Sequence, residues 1–435
     1  MSQHLAERVF HLSENQTTVR RELLAGLTTF MTMAYVVVVN PRILSAAGMP
    51  VEGVLFATCI SAALATLLMG VWANYPIALA PGMSLNAYFT YSIVLGRGIP
   101  WQTVLGVVFL SGVLFLILTL TKVREQIVNG IPDCLKLGTA AGIGLFIAFI
   151  GLRDAGVIVA NKATFVGLGK VSDPQVILAA VGVLLIAILM ARRVDSAILI
   201  GIAAITILGI PVGVSHWPAH LFSWPHPAGT LFKLDLRSAA SLGLGELVFV
   251  FFFVDLFDNV GTLVAVCEEG GFMRDGQLPR ASRALVADAF GTIVGALTGT
   301  STVTSYIESA AGVAAGARTG LGNLVIAALF LGAMFVAPLV AAIPSYATAP
   351  ALILVGALMC GSVAGIRWND FTESVPAFLT LIATPLTFSI ATGLSLGLLS
   401  FTFLKLFTGR RREISGLIWV LSVLFLLRYA FLGAE

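Results

Sequence analysis

The sequence predicts an all-α polytopic membrane protein with about fourteen transmembrane segments, and composition is the first reason. Its 435 residues are 58% apolar and 11% charged, whereas soluble domains average roughly 45–50% and 25%. The mean hydropathy is +0.98. Apolar stretches of about 20 residues, the length that crosses a bilayer, recur along the chain, as in Val54–Trp72 and Leu321–Val340. This composition leaves no room for a separate soluble domain of ordinary size.

The second reason is that the chain falls into two similar halves. The polar connection at residues 215–246 separates them, and each half holds seven of the predicted segments. Ile131-Pro132 and Ile343-Pro344 open similar Gly/Ala-rich segments at corresponding places. Because seven is odd, the second half enters the membrane from the opposite side. The result is a 7+7 inverted repeat, a plan typical of secondary transporters.

The basic residues predict a cytoplasmic N-terminus. Residues 1–22 are polar and lack the hydrophobic region of a signal peptide. With this segment inside, most Lys and Arg residues fall on the cytoplasmic side, including the run Arg410–Arg412, as the positive-inside rule requires. The hydrophobic segment Ile414–Leu432 that follows is long enough to span but would also suit the membrane interface, so both interpretations stay open.

The third predicted segment, Ile77–Leu95, is interrupted. Pro81 and Gly82 disfavour a continuous helix at this point. We expect a short extended piece and then a half-helix that begins near Ser84 and carries Asn86 in its first turn. The amide of Asn86 offers donors and an acceptor to a ligand, although both polar residues would also serve as caps of a kinked helix.

The tenth predicted segment, Thr302–Ala317, mirrors the third. The polar, β-branched run Thr300–Ser305 favours an extended chain. Ser305 and Glu308 have the spacing of a capping box, which gives Glu308 a purely structural interpretation. In the functional interpretation, the half-helix starts near Asn86 and Glu308 face one cavity, where backbone N–H groups donate and Glu308 accepts.

Acidic side chains in the eighth segment are the strongest functional signal. Asp255 and Asp258 follow an apolar run, lie three residues apart and therefore share a helix face, which Thr262 extends by one turn. Carboxylates are costly within a bilayer and mark pathways or sites. Two of them in one apolar site repel, which favours protonation of one member. A proton-coupled carrier needs such a group, whereas the alternative is hydrogen bonding between helices.

The remaining polar residues give weaker signals. Asp288 stands alone among small residues, which predicts a structural bond to a neighbouring backbone, and we place Thr262 in the same structural class. The four Cys residues include no CxxC pair, and the five His residues lie outside the predicted segments. With no P-loop, HExxH or dinucleotide fingerprint, we expect no enzyme activity, no metal, no cofactor other than the proton as coupling ion, and no nucleic-acid partner.

Four segments resemble those of a known family. They are Asn40-Pro41, Ala80–Phe89, Val254–Leu263 and Thr304–Val313. Together they resemble the purine-base permeases of the nucleobase/ascorbate transporter superfamily, and more narrowly the azaguanine-permease-like branch, which carries adenine, guanine and hypoxanthine.

The resemblance implies a division into a core domain and a gate domain. The expected parts are residues 1–22 (cytoplasmic N-terminus), 23–121 and 247–341 (core), 122–214 and 342–408 (gate), 215–246 (periplasmic loop) and 409–435 (basic run and additional hydrophobic segment). The resemblance also implies proton symport of a purine base by alternating access, residence in the lipid of the bacterial inner membrane, and a possible homodimer.

The family's substrate acids fall here on Asp255 and Glu308, with Asp258 and Asn86 as supporting groups. We expect further substrate contacts from Ser84, Thr304 and Ser305, and proton coupling by Asp255, Glu308 and Asp258. Aromatic side chains cover the flat face of a bound purine in this interpretation. The candidates are Phe251, Tyr88 and Tyr306.

Rival functions remain. An anion carrier of the sulfate type would favour neutral or basic groups at the half-helix starts, and the acids argue against it. A uracil or xanthine carrier of the same architecture and a passive pore are further alternatives. The sequence does not distinguish adenine from guanine and hypoxanthine as the preferred base.

Overall fold

Helices make up most of the structure. The computed structural model describes residues 3–120, 131–218, 220–227, 229–241, 245–273 and 278–431. Its α-helices are α1 (Gln3–Phe10), α2 (Val19–Met33), α3 (Val36–Ser45), α4 (Val51–Leu68), α5 (Met83–Ala87), α6 (Trp101–Leu120), α7 (Asp133–Asp154), α8 (Pro174–Ala191), α9 (Ala197–Gly209), α10 (Leu236–Ser241), α11 (Gly245–Glu269), α12 (Ala281–Thr298), α13 (Ser309–Ala314), α14 (Gly322–Ala333), α15 (Ala337–Ala342), α16 (Ser345–Met359), α17 (Phe371–Thr387), α18 (Ile390–Phe407) and α19 (Gly416–Phe431). Further helical turns are the π-helical Met69–Ala73 and Tyr88–Leu95 and the 3₁₀-helical Met334–Val336, Cys360–Gly365 and Arg411–Glu413.

Nine helical stretches of the described chain are long and apolar enough to cross a membrane. They are Val19–Ser45, Val51–Ala73, Trp101–Leu120, Asp133–Asp154, Pro174–Ala191, Gly245–Glu269, Gly322–Ala342, Ser345–Gly365 and Ile390–Phe407. The apolar helices Ala197–Gly209 and Gly416–Leu426 are shorter. The architecture is therefore that of a mainly helical protein with several membrane-spanning helices.

Two short strands pair although they are far apart in sequence. β1 (Leu79–Pro81) and β4 (Val303–Ser305) are antiparallel, with Ala80 opposite Thr304. Pro81 cannot donate a backbone hydrogen bond, and the residues of β4 favour extended chain. Strand β1 leads into α5, and β4 is followed four residues later by α13. A second pair, β2 (Ile158–Asn161) and β3 (Phe165–Leu168), forms a separate hairpin.

Each strand of the first pair is supported by a threonine from a neighbouring helix. The Thr66 hydroxyl of α4 donates to the Leu79 carbonyl at 3.0 Å and accepts from its N–H at 2.9 Å. The Thr292 hydroxyl of α12 bonds both backbone groups of Val303 in the same way, at 3.1 Å each. A non-helical chain within a membrane must have its backbone groups satisfied by protein. In each half of the chain, a threonine hydroxyl from a helix satisfies both backbone groups of one strand residue.

The described chain divides into two compact units, Met1–Leu120 with Asp154–Ala351 and Thr121–Arg153 with Leu352–Glu435. In the first unit, α2 and α14 approach closely at Gly26 and Gly322. A Cβ atom at Gly26 would lie 2.4 Å from the Gly322 carbonyl oxygen, so the contact requires glycine. Small residues permit such close packing of helices in membranes.

In the second unit, the C-terminal helix α19 runs antiparallel to α18. The hydroxyls of Thr402 and Ser422 are 2.7 Å apart, and those of Ser395 and Tyr429 are 2.5 Å apart. The earlier residue of α18 thus pairs with the later residue of α19, which defines the antiparallel arrangement. Polar side chains therefore join the two helices at two points along their length, as neighbouring helices in membranes do.

Ion pairs anchor the basic run after α18. The Lys405 ammonium group is buried and lies 2.5 Å from the Glu413 carboxylate. Arg410 bonds Asp370 at 2.7 Å, just before α17. Hydrogen bonds from Thr372 and then from Arg410 hold the pKa of the Asp370 carboxyl well below its usual range. These contacts connect both ends of the α17–α18 pair to the start of α19.

Candidate substrate site

Glu308 lies at the end of the loop between β4 and α13. Its carboxylate accepts a hydrogen bond from the Tyr35 hydroxyl at 2.7 Å. Glu308 occupies the N-cap position of α13, but its side chain makes no capping hydrogen bond. The buried Ser305 hydroxyl has no partner among the described residues. The capping-box interpretation was therefore wrong, because the Glu308 carboxylate is directed to a tyrosine and not to the helix start.

Asp258 meets the other broken segment. The Ser84 hydroxyl, at the start of α5, donates to the Asp258 carboxylate at 3.1 Å. Asp258 is also near enough to Glu308 and Tyr306 to interact with both electrostatically. The side chains of Asp258 and Glu308 are only partly buried. Two carboxylates from distant parts of the chain are thus within electrostatic range of each other, and each residue keeps some exposed surface.

Asp255 occupies a different environment. It is 2% exposed, and the Thr292 hydroxyl, which bonds the backbone of Val303, lies 3.5 Å from its carboxylate. This long contact places Asp255 against α12 and β4. The two predicted acids on α11 therefore have different surroundings. Asp255 faces Thr292, which supports β4, whereas Asp258 bonds Ser84 at the start of α5.

Asn86 belongs to a buried polar network. Its side-chain amide donates to the Asn40 carbonyl oxygen at 2.5 Å, and its own carbonyl oxygen accepts from the Ser301 hydroxyl. Asn40 in turn donates to Thr58 at 2.7 Å and to Thr300 at 2.9 Å. Both ends of the Asn86 amide are therefore engaged by protein. The network joins α3, α4 and α5 to the segment before β4.

Several buried polar atoms close in sequence to the two accessible carboxylates have no partner among the described residues. These atoms are the hydroxyls of Thr302, Thr304 and Ser305 and both amide atoms of Asn259. Buried polar groups are normally hydrogen-bonded, so these atoms are available to bond a ligand. Thr304 and Ser305 were predicted as site residues. Asn259 was not, although a polar residue next to Asp258 in an apolar helix was a signal.

The predicted aromatic residues have separate surroundings. The rings of Tyr88 and Phe251 pack on each other, with centroids 5.5 Å apart, and both are buried. The Tyr306 hydroxyl donates to the Pro81 carbonyl at 2.6 Å, which connects β1 to the chain after β4. Tyr35, which the sequence analysis missed, provides the direct contact to Glu308. A single tyrosine in an apolar segment gave no signal of this role.

Asp288 and Thr262 lie on α12 and α11. Asp288 is fully buried on α12, one turn before Thr292. Thr262 is partly buried. No group of three or more His, Cys, Asp and Glu side chains is arranged to hold a metal ion in the part of the chain that the structure describes.

Fold and site together are those of a membrane transporter. The chain belongs to the Permease family (Xan_ur_permease), which matches residues 20–396. It is 55% identical over 435 residues to the putative permease MJ0326 of Methanocaldococcus jannaschii, with all of both chains covered. It is 46% identical to the guanine/hypoxanthine permease PbuO of Bacillus subtilis (97% of this chain, 99% of the relative). It is 43% identical to the adenine permease AdeP of Escherichia coli (100% and 98%).

These relatives confirm the resemblance to the purine permeases, and the chain is a multi-pass membrane transporter and not an enzyme. Solved structures of other transporters share its fold. The transmembrane domain of the cyanobacterial bicarbonate transporter BicA matches with a TM-score of 0.62 at 18% identity, covering 87% of this chain and 97% of that domain. Murine Slc26a9, in the inward-facing state, matches with a TM-score of 0.65 at 11% identity, covering 94% and 72%.

Proposed function

We propose that this protein takes up a purine base, adenine or guanine/hypoxanthine, together with a proton. The observation that carries this proposal is that Asp258 and Glu308 lie within electrostatic range of each other, each bonded by one hydroxyl and each partly exposed. Relatives that match nearly the whole chain are named permeases for adenine and for guanine and hypoxanthine.

The site suits the edge of a purine. Ring N–H groups would donate to the carboxylates, and ring nitrogen atoms would accept from the unpartnered hydroxyls of Thr304 and Ser305. A recognition site normally combines a few such polar groups with apolar walls, and Tyr306 borders the carboxylates here. We propose Asn86 as the residue that positions this edge, because its network joins α5 to the segment before β4.

Proton coupling follows from the two neighbouring acids. Two carboxylates in electrostatic contact are less unfavourable when one of them is protonated. A neutral base and one proton would therefore bind together and leave together. We propose Asp258 and Glu308 as the coupling pair, with Asp255 as a deeper third carboxylate that supports β4 through Thr292.

For the architecture we propose fourteen spans in a 7+7 inverted repeat, interrupted in the third and tenth spans, with the core and gate parts at the boundaries given above. The matching support of β1 by Thr66 and of β4 by Thr292 favours two equivalent halves. Transport would then proceed by alternating access in the inner membrane, with the N-terminus in the cytoplasm and the protein present as a homodimer.

Uptake into proteoliposomes tests this proposal. Labelled hypoxanthine and adenine should accumulate when the outside is acidic, and a protonophore should abolish accumulation. Unlabelled adenine, guanine and hypoxanthine should compete, whereas uracil, xanthine and sulfate should compete poorly. The variants Asp258→Asn and Glu308→Gln should lose uptake, while Glu52→Gln, at an exposed carboxylate of α4, should retain it. Full purine uptake by both Asp258→Asn and Glu308→Gln, or accumulation of sulfate by the unaltered protein, would contradict the proposal.

A further inference from the structure

An apolar groove of about 410 Å³ in the first unit plays no part in the proposed purine site. Residues of α2, α3, α9, α14 and α15 line it, among them Phe30, Val37, Ile202, Ala203, Val336 and Ile343. Almost every lining group is apolar. A purine, which needs partners for several polar atoms, is unsuited to such a wall. A hydrocarbon chain requires none, and the bilayer supplies it.

The loop after α9 closes part of the groove with residues typical of the membrane interface. His216 and Trp217 belong to the lining, and Trp217 is 61% exposed. Tryptophan is enriched where the hydrocarbon core meets the headgroups. The apolar groove is therefore continuous with a surface suited to headgroup depth.

A positive charge, that of Arg42, lies one helical turn beyond the lining of the groove. Val38 lines the groove, and Arg42 follows it by one helical turn on the same face of α3. The Arg42 guanidinium donates to the Ala341 carbonyl oxygen at 2.5 Å, next to the lining residue Ala342. This contact fixes the guanidinium beside the apolar wall.

Arg42 retains binding capacity. Its Nε–H group is buried without a hydrogen-bond partner, and no acidic side chain pairs with Arg42 among the described residues. A guanidinium binds phosphate through paired N–H groups, and such charge-assisted bonds are stronger than neutral ones. An anion at this position would pair the guanidinium charge, which no acidic side chain neutralises among the described residues.

We propose that the groove binds one acyl chain of an anionic phospholipid, with the lipid phosphate at Arg42. The apolar wall and the adjacent unpaired cation together match the two parts of such a lipid. A second copy of this chain would have to insert an apolar side chain into the groove, and this contact would leave the Arg42 guanidinium without an anionic partner. The lipid accounts for both features at once.

Native mass spectrometry of the full-length protein in detergent tests the proposal. Dioleoyl phosphatidylglycerol and dioleoyl phosphatidylcholine are titrated separately. We expect one phosphatidylglycerol to be retained, with a preference over phosphatidylcholine of roughly tenfold. Both lipids carry a phosphate, but the choline cation offsets its charge and is repelled by Arg42. Arg42→Gln should remove this preference and still bind either lipid weakly.

Variants of the wall test the acyl-chain part. Ala203 is exposed toward the groove, so Ala203→Trp should fill it and abolish retention of both lipids. Ala180→Trp places the same side chain on an exposed position of α8 outside the groove and should bind like the unaltered protein. Thr206→Met, a smaller groove-filling change, replaces Ala203→Trp if the indole prevents folding.

Unchanged phosphatidylglycerol retention in a folded groove-filling variant would overturn the proposal, as would full headgroup preference in Arg42→Gln. A dimer that Ala203→Trp dissociates, without any retained lipid in the unaltered protein, would also overturn it and assign the groove to a second copy.

Discussion

At the residue scale, the two accessible carboxylates are each oriented by a single hydroxyl. Tyr35 reaches Glu308 from the junction of α2 and α3, and Ser84 reaches Asp258 from the start of α5. A hydrogen bond to a charged group is worth about 1.5–3 kcal/mol. The orientation of each acid therefore depends on a residue far away in sequence.

Tyr35→Phe should weaken purine uptake while preserving the fold. Loss of the bond to Glu308 leaves the carboxylate free to turn away, and we expect KM to rise by about tenfold. Kinetics of hypoxanthine uptake measure this. Tyr91→Phe is the matched control, because Tyr91 bonds the Asp154 carboxylate at 3.2 Å. An equal loss in both variants would count against a specific role for Tyr35.

Asn259→Leu should abolish uptake without lowering the thermal unfolding midpoint. Its amide atoms are buried without partners among the described residues, so the near-isosteric apolar change removes an unsatisfied group. Asn86→Leu is the contrasting variant and should destabilise the protein, because Asn40 and Ser301 lose their partner. If Asn259→Leu lowers the midpoint as much as Asn86→Leu, the residue is structural.

The sequence singled out Asp258 because it interrupts an apolar run, and Glu308 because it follows the polar break Thr300–Ser305. The choice of partner was not predictable. Tyr35 is 273 positions from Glu308, and a single sequence carries no record of such a contact. The spacing of Ser305 and Glu308 predicted a capping box, but the Glu308 carboxylate bonds Tyr35 from a distant part of the chain. A tertiary partner therefore replaced the local one.

At the element scale, the antiparallel pair of β1 and β4 is the feature that brings α5 and α13 together. Pro81 and the Thr/Ser run indicated extended chain at these positions, and the strands lie there. The pairing depends on Thr66 and Thr292, which supply hydrogen bonds that the short strands cannot make themselves. Local sequence carries no trace of this support.

Thr66→Val and Thr292→Val should each destabilise the protein by about 1–3 kcal/mol, because each leaves a buried backbone N–H and carbonyl unpaired. Thermal unfolding in detergent measures the change. Thr119→Val is the control: among the described residues its buried hydroxyl bonds the Phe115 carbonyl one turn earlier and no strand, so the loss of stability should be smaller. Equal midpoints for Thr119→Val and Thr66→Val would argue against strand support.

At the scale of the whole molecule, composition alone established a membrane protein, whereas hydropathy windows could not fix the helix count. Residues Leu321–Val340 were predicted as one span, and Gly322–Ala342 is one candidate span in the structure, although a 3₁₀ turn separates α14 from α15 within it. Windows average over such turns. The similarity of fold to BicA and Slc26a9, at low identity, shows that this architecture accommodates very different sequences.

The proposed inverted repeat makes a prediction about sidedness. Seven spans before the central loop place that loop outside and the N-terminus inside. In whole cells, a membrane-impermeant maleimide should label Phe222→Cys, which lies at an exposed site of the loop. Ser13→Cys should react only after permeabilisation. Labelling of both variants from outside would require an even number of spans between them and contradict the 7+7 arrangement.

The central claim is that Asp258 and Glu308 form one site for a purine. Binding of labelled hypoxanthine, adenine and guanine to the purified protein, compared among Asp258→Asn, Glu308→Gln and the double variant, tests it most directly. Residues that contact one ligand together are energetically coupled, so we predict that each single change removes most of the binding and that the second adds little. Undiminished binding of all three bases in both single variants would contradict the claim.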